Sequence, residues 1–164
     1  MIETGMAIPS VPVKFVNADG VADGTSDAVL SGGRVVMFTV PGAFTPTCHV
    51  NHLPGFVANA AKLRAAGVDT IVCAAVNDHH VMKAWADASG ALPDITFLAD
   101  GNAALATALG IDRDFSGSGM GKRFARTAMI IENGTVRSVF VEGAPGVGGS
   151  GAPAILMALE AAKV

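Results

Sequence analysis

Short apolar runs alternate with amphipathic segments along this chain, and that alternation restricts its fold more than any other feature. The run VDTIVCAAVN, at 68–77, is apolar through its centre, as expected of a parallel strand buried on both faces. RVVMFTV, at 34–40, and DITFLAD, at 94–100, are predicted strands of the same kind. Asp78 is the predicted N-cap and Gly90 the predicted end of an intervening helix. This order predicts a largely parallel sheet with helices on both faces.

Turn signals add two hairpins to this arrangement. Asn133-Gly134 stands between two apolar runs and is the strongest hairpin signal in the chain. Asp19-Gly20 predicts a second hairpin near the N-terminus. Together the elements predict an α/β, thioredoxin-like fold, in which helices flank a central mixed β-sheet with an N-terminal hairpin extension. We expect residues 1–164 to form one domain.

Composition excludes several classes of partner. The chain carries a formal net charge of −3, and only 15% of its residues are charged. The basic residues cluster no further than Lys122 and Arg123 with Arg126 nearby, so no nucleic-acid surface is expected. The apolar runs are shorter than the roughly 20 residues of a membrane span. The first residues, with Glu3, do not resemble a signal peptide, which predicts a soluble, cytoplasmic protein.

The chain has two cysteines, Cys48 and Cys73, and no CxxC motif. Two cysteines form a weak disulfide framework for a chain of this size, and they lie too far apart in sequence for an obvious zinc site. We expect no metal and no cofactor. The question that remains is whether either thiol is reactive.

The segment TPTC predicts a helix that starts just before a cysteine. Thr45 is a favoured N-cap, Pro46 suits the first helical position, and Cys48 is then the third. Unpaired N–H groups and the positive end of the helix dipole favour a thiolate there. Because the thiolate is the nucleophile, the local sequence predicts an activated Cys48.

Three neighbours of this cysteine allow more than one interpretation. His52 lies four residues on and shares its helical face, but from spacing alone a solvent-facing histidine is an equal alternative. His49 is expected to point elsewhere. Pro54 has no N–H to donate and is expected to kink or interrupt the helix.

Three motifs extend this local pattern over most of the chain. Pro41, Thr45 and Cys48 form P-x-x-x-T-x-x-C within VPGAFTPTC, which HLPGF follows. VNDHHVMKAW and GMGKRFARTAMII lie further along. This set resembles the peroxiredoxin family, and in particular its Prx5 subgroup, from about Pro9 to the C-terminal helix.

The resemblance implies a role for each matching residue. Cys48 would be the peroxidatic cysteine, whose thiolate attacks hydrogen peroxide or an alkyl hydroperoxide and leaves as a sulfenic acid. The Thr45 hydroxyl would contact peroxide and thiolate, and Pro41 would shield the site from water. Arg126 would hydrogen-bond the sulfur and the peroxide oxygen, with Arg123 as its rival. His52 would orient the site rather than transfer protons.

The resemblance also bears on how the enzyme would be recycled. The resolving cysteine of disulfide-forming members lies in the region that corresponds to 143–151, which here reads GAPGVGGSG. Its absence predicts a one-Cys mechanism with an external thiol, either glutathione with glutaredoxin or thioredoxin. A disulfide between Cys48 and Cys73 after local unfolding is the open alternative. A non-covalent homodimer is also implied.

Two other classes of function use the same features. A cysteine hydrolase would pair Cys48 with a histidine, although one four residues away is poorly placed as its base. A non-catalytic redox-sensing or binding module could adopt the same fold, because fold alone does not fix function.

Overall fold

Seven strands form one mixed sheet in the computed structural model, which describes residues 1–162. The strand bounds are β1 Pro12–Asn17, β2 Gly20–Thr25, β3 Arg34–Val40, β4 Thr70–Ala75, β5 Thr96–Ala99, β6 Asp112–Asp114, β7 Lys122–Phe124, β8 Thr127–Glu132 and β9 Thr135–Val141. The sheet order is β2-β1-β5-β4-β3-β8-β9. Strands β3, β4 and β5 run parallel, while β1, β8 and β9 pair antiparallel with their neighbours. A separate two-stranded ribbon joins β6 to β7.

Helices cover both faces of the sheet. Their bounds are α1 Ser26–Leu30, α2 Leu53–Ala58, α3 Ala60–Ala65, α4 His79–Ser89, α5 Ala104–Leu109 and α6 Ala152–Ala161. A π-helical turn, Cys48–His52, leads into α2, and a 3₁₀ turn, Ser116–Ser118, follows β6. Asp78 caps α4 by accepting from the Val81 N–H at 3.0 Å, and Gly90 ends it in the left-handed conformation, as predicted.

Each parallel strand supplies residues to two apolar clusters, one on each side of the sheet. On β3, Phe38 faces the cluster built with α2, α3, α4 and α6, whereas its neighbour Met37 faces the cluster built with α1 and α5. Side chains of successive strand residues point to opposite faces. Because both faces are covered, the strands need apolar residues at every position, which explains the continuous runs in the sequence.

The predicted central mixed sheet, its flanking helices and both hairpins are confirmed. Asn133 and Gly134 have φ values of +50° and +79°, as a two-residue hairpin turn requires. The first hairpin turns one residue earlier than predicted, since Asn17 pairs with Gly20. The prediction of one domain over 1–164 stays a prediction, and its last two residues lie outside the described ones.

Three features differ from what the sequence patterns indicate. The short helix α1 and the β6–β7 ribbon are not predicted, because they have too few residues to show a hydrophobic period. The spacing of Phe56, Ala60 and Leu63 predicts one helix over 55–67, but the structure divides it at Asn59, whose side chain donates to the Gly55 carbonyl at 2.8 Å and competes with the helical backbone. Over residues 1–162, every helix is too short or too polar to cross a bilayer.

Candidate active site

The loop after β3 leads directly to the buried cysteine. Its helix begins at Pro46, with Cys48 as the third helical residue, and the first helical hydrogen bond runs from the His49 N–H to the Thr45 carbonyl at 2.8 Å. The Thr45 hydroxyl donates back to the Gly42 carbonyl at 2.7 Å. Its contact with peroxide and thiolate therefore stays a prediction.

The helix widens into a π turn immediately after it begins. The Leu53 N–H donates to the Cys48 carbonyl, five residues back, in place of a bond to its fourth predecessor. Pro54 has no N–H to continue the α-helical ladder into this turn. The helix is thus widened rather than interrupted, and His52 remains on the side of Cys48 that faces the protein interior.

The guanidinium of Arg126 joins the cysteine to the histidine. Nη2 donates to Cys48 Sγ at 3.1 Å, and Nη1 donates to His52 Nδ1 at 2.9 Å. Among the residues described, none of the ion pairs includes Arg126. The half-buried guanidinium therefore places a positive charge directly beside the cysteine sulfur.

His52 is held neutral in an aromatic environment. A guanidinium can only donate, so Nδ1 accepts and the ring proton is assigned to Nε2, which donates to the Ser150 carbonyl at 2.9 Å. The ring lies 5.0 Å from the Phe38 ring and 5.6 Å from the Phe56 ring, centre to centre. Burial lowers the pKa of His52 from 6.5 to about 4. A neutral imidazole that contacts Arg126, and not the sulfur, orients the cation.

Arg123 lies on the other side of the cysteine loop. Its Nε donates to the Met120 carbonyl at 2.9 Å, and Nη1 lies 3.5 Å from the Pro41 carbonyl. The Asn77 side chain holds the same loop by accepting from the Ala43 N–H at 3.0 Å. Arg126 therefore contacts the sulfur, while Arg123 braces the loop that leads to it.

A pocket of about 430 Å³ opens beside this group. Pro41 and Arg126 form one part of its wall, Phe115 another, and residues 143–146 the third. The sulfur of Cys48 does not line this pocket and is fully buried. Arg126, which contacts the sulfur, lines this pocket together with Arg113 and Glu142, so a small molecule that fills it meets charged side chains beside apolar ones.

Cys73 has different surroundings. It lies on β4 between Phe38 of β3 and Phe97 of β5 and is fully buried. Burial raises the pKa of the Cys73 thiol well above its ordinary value, and nearby Cys48 raises it further. Both cysteines are free thiols.

Several residues that hold the site were not predicted from the sequence. The hydroxyl of Thr39 donates to the Ala125 carbonyl at 2.7 Å and lies 2.7 Å from that of Thr127, which fixes the backbone on both sides of Arg126. Both threonines are fully buried. The signal that would have found them is a hydroxyl residue at the end of an otherwise apolar strand.

His49 points away from the sulfur, as expected, but it has a partner. The buried indole of Trp85 donates to His49 Nδ1 at 2.9 Å, and the Phe44 ring lies 5.5 Å from the imidazole. The cysteine turn is thereby attached to α4 through the only tryptophan of the chain.

Comparison with known proteins identifies the family. The Redoxin family model matches residues 3–154. Peroxiredoxin-2E-2 of Oryza sativa is 42% identical over 86% of this chain, which spans 65% of that longer protein. Peroxiredoxin-2D of Arabidopsis thaliana is 36% identical over 96% of this chain and 98% of its own length. The chain belongs to the peroxiredoxin family.

Solved structures agree with this assignment. Reduced Prx3 of Vibrio vulnificus in complex with hydrogen peroxide is 43% identical and covers 97% of this chain and 99% of its own, with a TM-score of 0.91. The thioredoxin-like fold is therefore confirmed, and this peroxiredoxin is an oxidoreductase with peroxidase activity. The hydrolase alternative loses its support, because His52 contacts Arg126 rather than the cysteine.

The comparisons correct the expectation of a cytoplasmic location. The rice relative is named chloroplastic, and two further Arabidopsis relatives, 35% and 36% identical, are named chloroplastic and mitochondrial. The expectation was wrong because composition and the length of apolar runs reflect the requirements of a folded domain. These requirements are the same in every compartment. The expected absence of a metal and a cofactor stays a prediction.

Proposed function

We propose that this peroxiredoxin reduces hydrogen peroxide and alkyl hydroperoxides with Cys48 as its peroxidatic residue, in the manner of the Prx5 subgroup. The observation that carries the proposal is the contact between Arg126 and the Cys48 sulfur. Peroxiredoxin 5 of Alvinella pompejana is 31% identical, with a TM-score of 0.85, which supports the subgroup.

The chemistry assigns one task to each residue. The Cys48 thiolate attacks one peroxide oxygen, an S–O bond forms, and the O–O bond breaks. Sulfur is oxidised by two electrons to the sulfenic acid, and the leaving oxygen takes a proton to become water or an alcohol. Arg126 stabilises the charge that develops on that oxygen. Thr45 orients the peroxide, Pro41 excludes water, and His52 fixes the guanidinium.

For recycling, we propose a one-Cys cycle with an external thiol, either glutathione with glutaredoxin or thioredoxin. The thiol attacks the sulfenic sulfur and releases water, and a second thiol then reduces the mixed disulfide. The position of Cys73 supports this cycle, because main-chain hydrogen bonds to both neighbouring strands, β3 and β5, hold its strand in place. A disulfide with Cys48 needs a Cβ separation of roughly 4 Å and would have to be formed by movement of the cysteine helix alone.

A homodimer belongs to the same proposal. Phe44 and Val50 flank the cysteine turn and are 48% and 75% exposed, so a second chain that packed against this turn would remove both apolar side chains from water. Light scattering during gel filtration should give about twice the chain mass. A single species of 16.5 kDa at micromolar concentration would contradict the dimer.

The experiment that tests the cycle is a mass measurement. One equivalent of hydroperoxide is mixed with the reduced protein, and intact mass and free thiols are followed for seconds. Glutathione is then added, and Cys48→Ser is the matched control. We expect one added oxygen on Cys48, replaced afterwards by a glutathione adduct, and neither product in the control.

Other results separate the parts of the proposal. Loss of both thiols without added oxygen would show that Cys73 resolves the sulfenic acid, and the one-Cys cycle would be wrong. Full retention of both thiols would contradict Cys48 as the peroxidatic residue and favour a redox-inactive binding module.

A further inference from the structure

The segment after β9 is folded around one carboxylate. Glu142 Oε1 accepts three hydrogen bonds, from the Gly148 N–H at 2.6 Å and from the N–H and hydroxyl of Ser150, both at 2.8 Å. Burial alone would raise the pKa of Glu142, but these donors hold it below its ordinary value. The carboxylate therefore stays ionised and keeps a glycine-rich loop in one shape.

The same loop reaches the active site through its carbonyl. Ser150 is 1% exposed; its N–H donates to Glu142 and its carbonyl accepts from His52 Nε2, so both of its backbone polar groups are held. His52 in turn accepts from Arg126, which donates to Cys48. A continuous chain of hydrogen bonds, each between 2.8 and 3.1 Å, thus runs from a loop carboxylate to the cysteine sulfur.

We propose that Glu142 is a positioning residue for Cys48, acting through Ser150 and His52 on the orientation of Arg126. Its fixed carboxylate holds the Ser150 carbonyl where only the Nε2–H tautomer of His52 can donate to it. That tautomer leaves Nδ1 free to accept from Arg126. The role in peroxide reduction rests on the proposed function, whereas the role in orienting His52 and Arg126 does not.

The charge of Glu142 also acts on Cys48 directly, and this effect on the thiolate is opposite in direction to the effect of positioning Arg126. The difference in direction makes the proposal testable. A carboxylate acting only through space disfavours an anion on the sulfur, so its removal would favour the thiolate. A carboxylate that fixes Arg126 favours the anion, so its removal would disfavour the thiolate. The direction of the change in Cys48 reactivity with pH therefore separates the two.

The experiment compares Glu142→Gln and Ser150→Ala with the parent protein. Ser150→Ala removes one contact of the carboxylate but keeps its charge. The readouts are the pH midpoint of Cys48 alkylation by iodoacetamide, followed on the Cys48 peptide, and the ¹⁵N resonances of the His52 ring. Glu132→Gln is the control, because Glu132 also accepts from arginines, Arg34 and Arg137, but at the end of β8 opposite to the end that follows Arg126.

We expect the alkylation midpoint to move to higher pH in both variants, more in Glu142→Gln, together with loss of the single Nε2–H tautomer. The peroxide rate constant should fall about tenfold in Glu142→Gln, as for loss of contacts to a charged group, and stay unchanged in Glu132→Gln. The proposal would be overturned if the alkylation midpoint moved to lower pH in Glu142→Gln. It would also be overturned if both variants kept the parent midpoint and the single Nε2–H tautomer of His52. A parent protein that does not reduce peroxide would overturn the proposed function, but these two readouts would still decide the positioning role.

Discussion

Cys48 and Cys73 are both fully buried in the same apolar cluster, but one lies at a helix start beside a guanidinium and the other in the middle of a strand. Burial by itself raises the pKa of a thiol, as it does for Cys73. Cys48 is buried just as deeply and has Arg126 at 3.1 Å.

The difference between the two positions concerns their neighbours, not their exposure. A strand interior offers apolar side chains and backbone groups that are already paired. A helix start offers N–H groups without partners, and the loop before β8 adds a cation that no carboxylate within residues 1–162 neutralises. One chain thus holds two buried thiols on the same side of one sheet, Cys48 beside a guanidinium and Cys73 between apolar side chains.

The largest expected effect on the rate of peroxide reduction comes from replacing Cys48, the proposed peroxidatic residue. Cys48→Ser should lower the rate of peroxide reduction at least about 10⁴-fold, because the attacking group itself is lost. Stopped-flow consumption of hydrogen peroxide measures this rate. Substantial residual turnover in this variant would place the chemistry on Cys73.

Removal of the cation should give the next largest effect. Arg126→Ala is expected to lower the rate about 10²-fold, or roughly 3 kcal/mol of transition-state stabilisation, and to leave the circular dichroism spectrum unchanged. Arg123→Ala is the matched control, since among the described residues Arg123 hydrogen-bonds the main-chain oxygens of Met120 and Pro41 and not the sulfur. A larger loss in the control than in Arg126→Ala would assign the catalytic role to Arg123.

The buried imidazole should make the free energy of unfolding depend on pH. Burial lowers the pKa of His52 from 6.5 to about 4, so between these values the unfolded chain binds a proton that the native chain does not. The contribution of His52 to stability is therefore complete above pH 6.5 and is lost as the pH falls toward 4, by roughly 3 kcal/mol. Urea unfolding of the parent and of His52→Gln between pH 7 and pH 4 measures it. Parallel curves for the two proteins would show that His52 is not held neutral.

The smallest effect on activity is expected from replacing Cys73. Cys73→Ala should change the peroxide rate less than about twofold, while a small cavity in the core lowers the free energy of unfolding by about 1–2 kcal/mol. Kinetics and urea unfolding of the same sample separate the two effects. A strong loss of turnover with glutathione as reductant would mean that Cys73 takes part in recycling.

The sequence predicted the sheet and both hairpins from local signals, whereas the place of Arg126 beside the sulfur followed from the resemblance to peroxiredoxins. The apolar runs, the Asn133-Gly134 turn and the Asp78 cap each favour one local backbone conformation through interactions within a few residues. The motif around Cys48 predicted a helix start for the same reason.

The contacts that orient the site were not predictable in this way. His52 spacing left a solvent-facing side chain as an equal alternative, because its partners Ser150 and Arg126 lie 98 and 74 residues away. Nothing near Glu142 in the sequence shows that its carboxylate folds a loop of glycines. Pairings over such separations depend on the register of the sheet, which local patterns do not fix.

The π turn between Cys48 and Leu53 relates the number of residues in this segment to the orientation of the cysteine. An α-helix advances about 100° around its axis per residue, and Leu53 and Phe56 fix the phase of α2 by packing into the core. Five residues of a π turn come round by nearly the same angle as four residues of an α-helix, because each turn is closed by one backbone hydrogen bond. The turn therefore takes up one additional residue while Cys48 and the buried face of α2 keep the relative orientation of an uninterrupted helix. A relative with one residue fewer between its cysteine and LPGF would close a regular α-turn there and would still direct its cysteine toward the arginine.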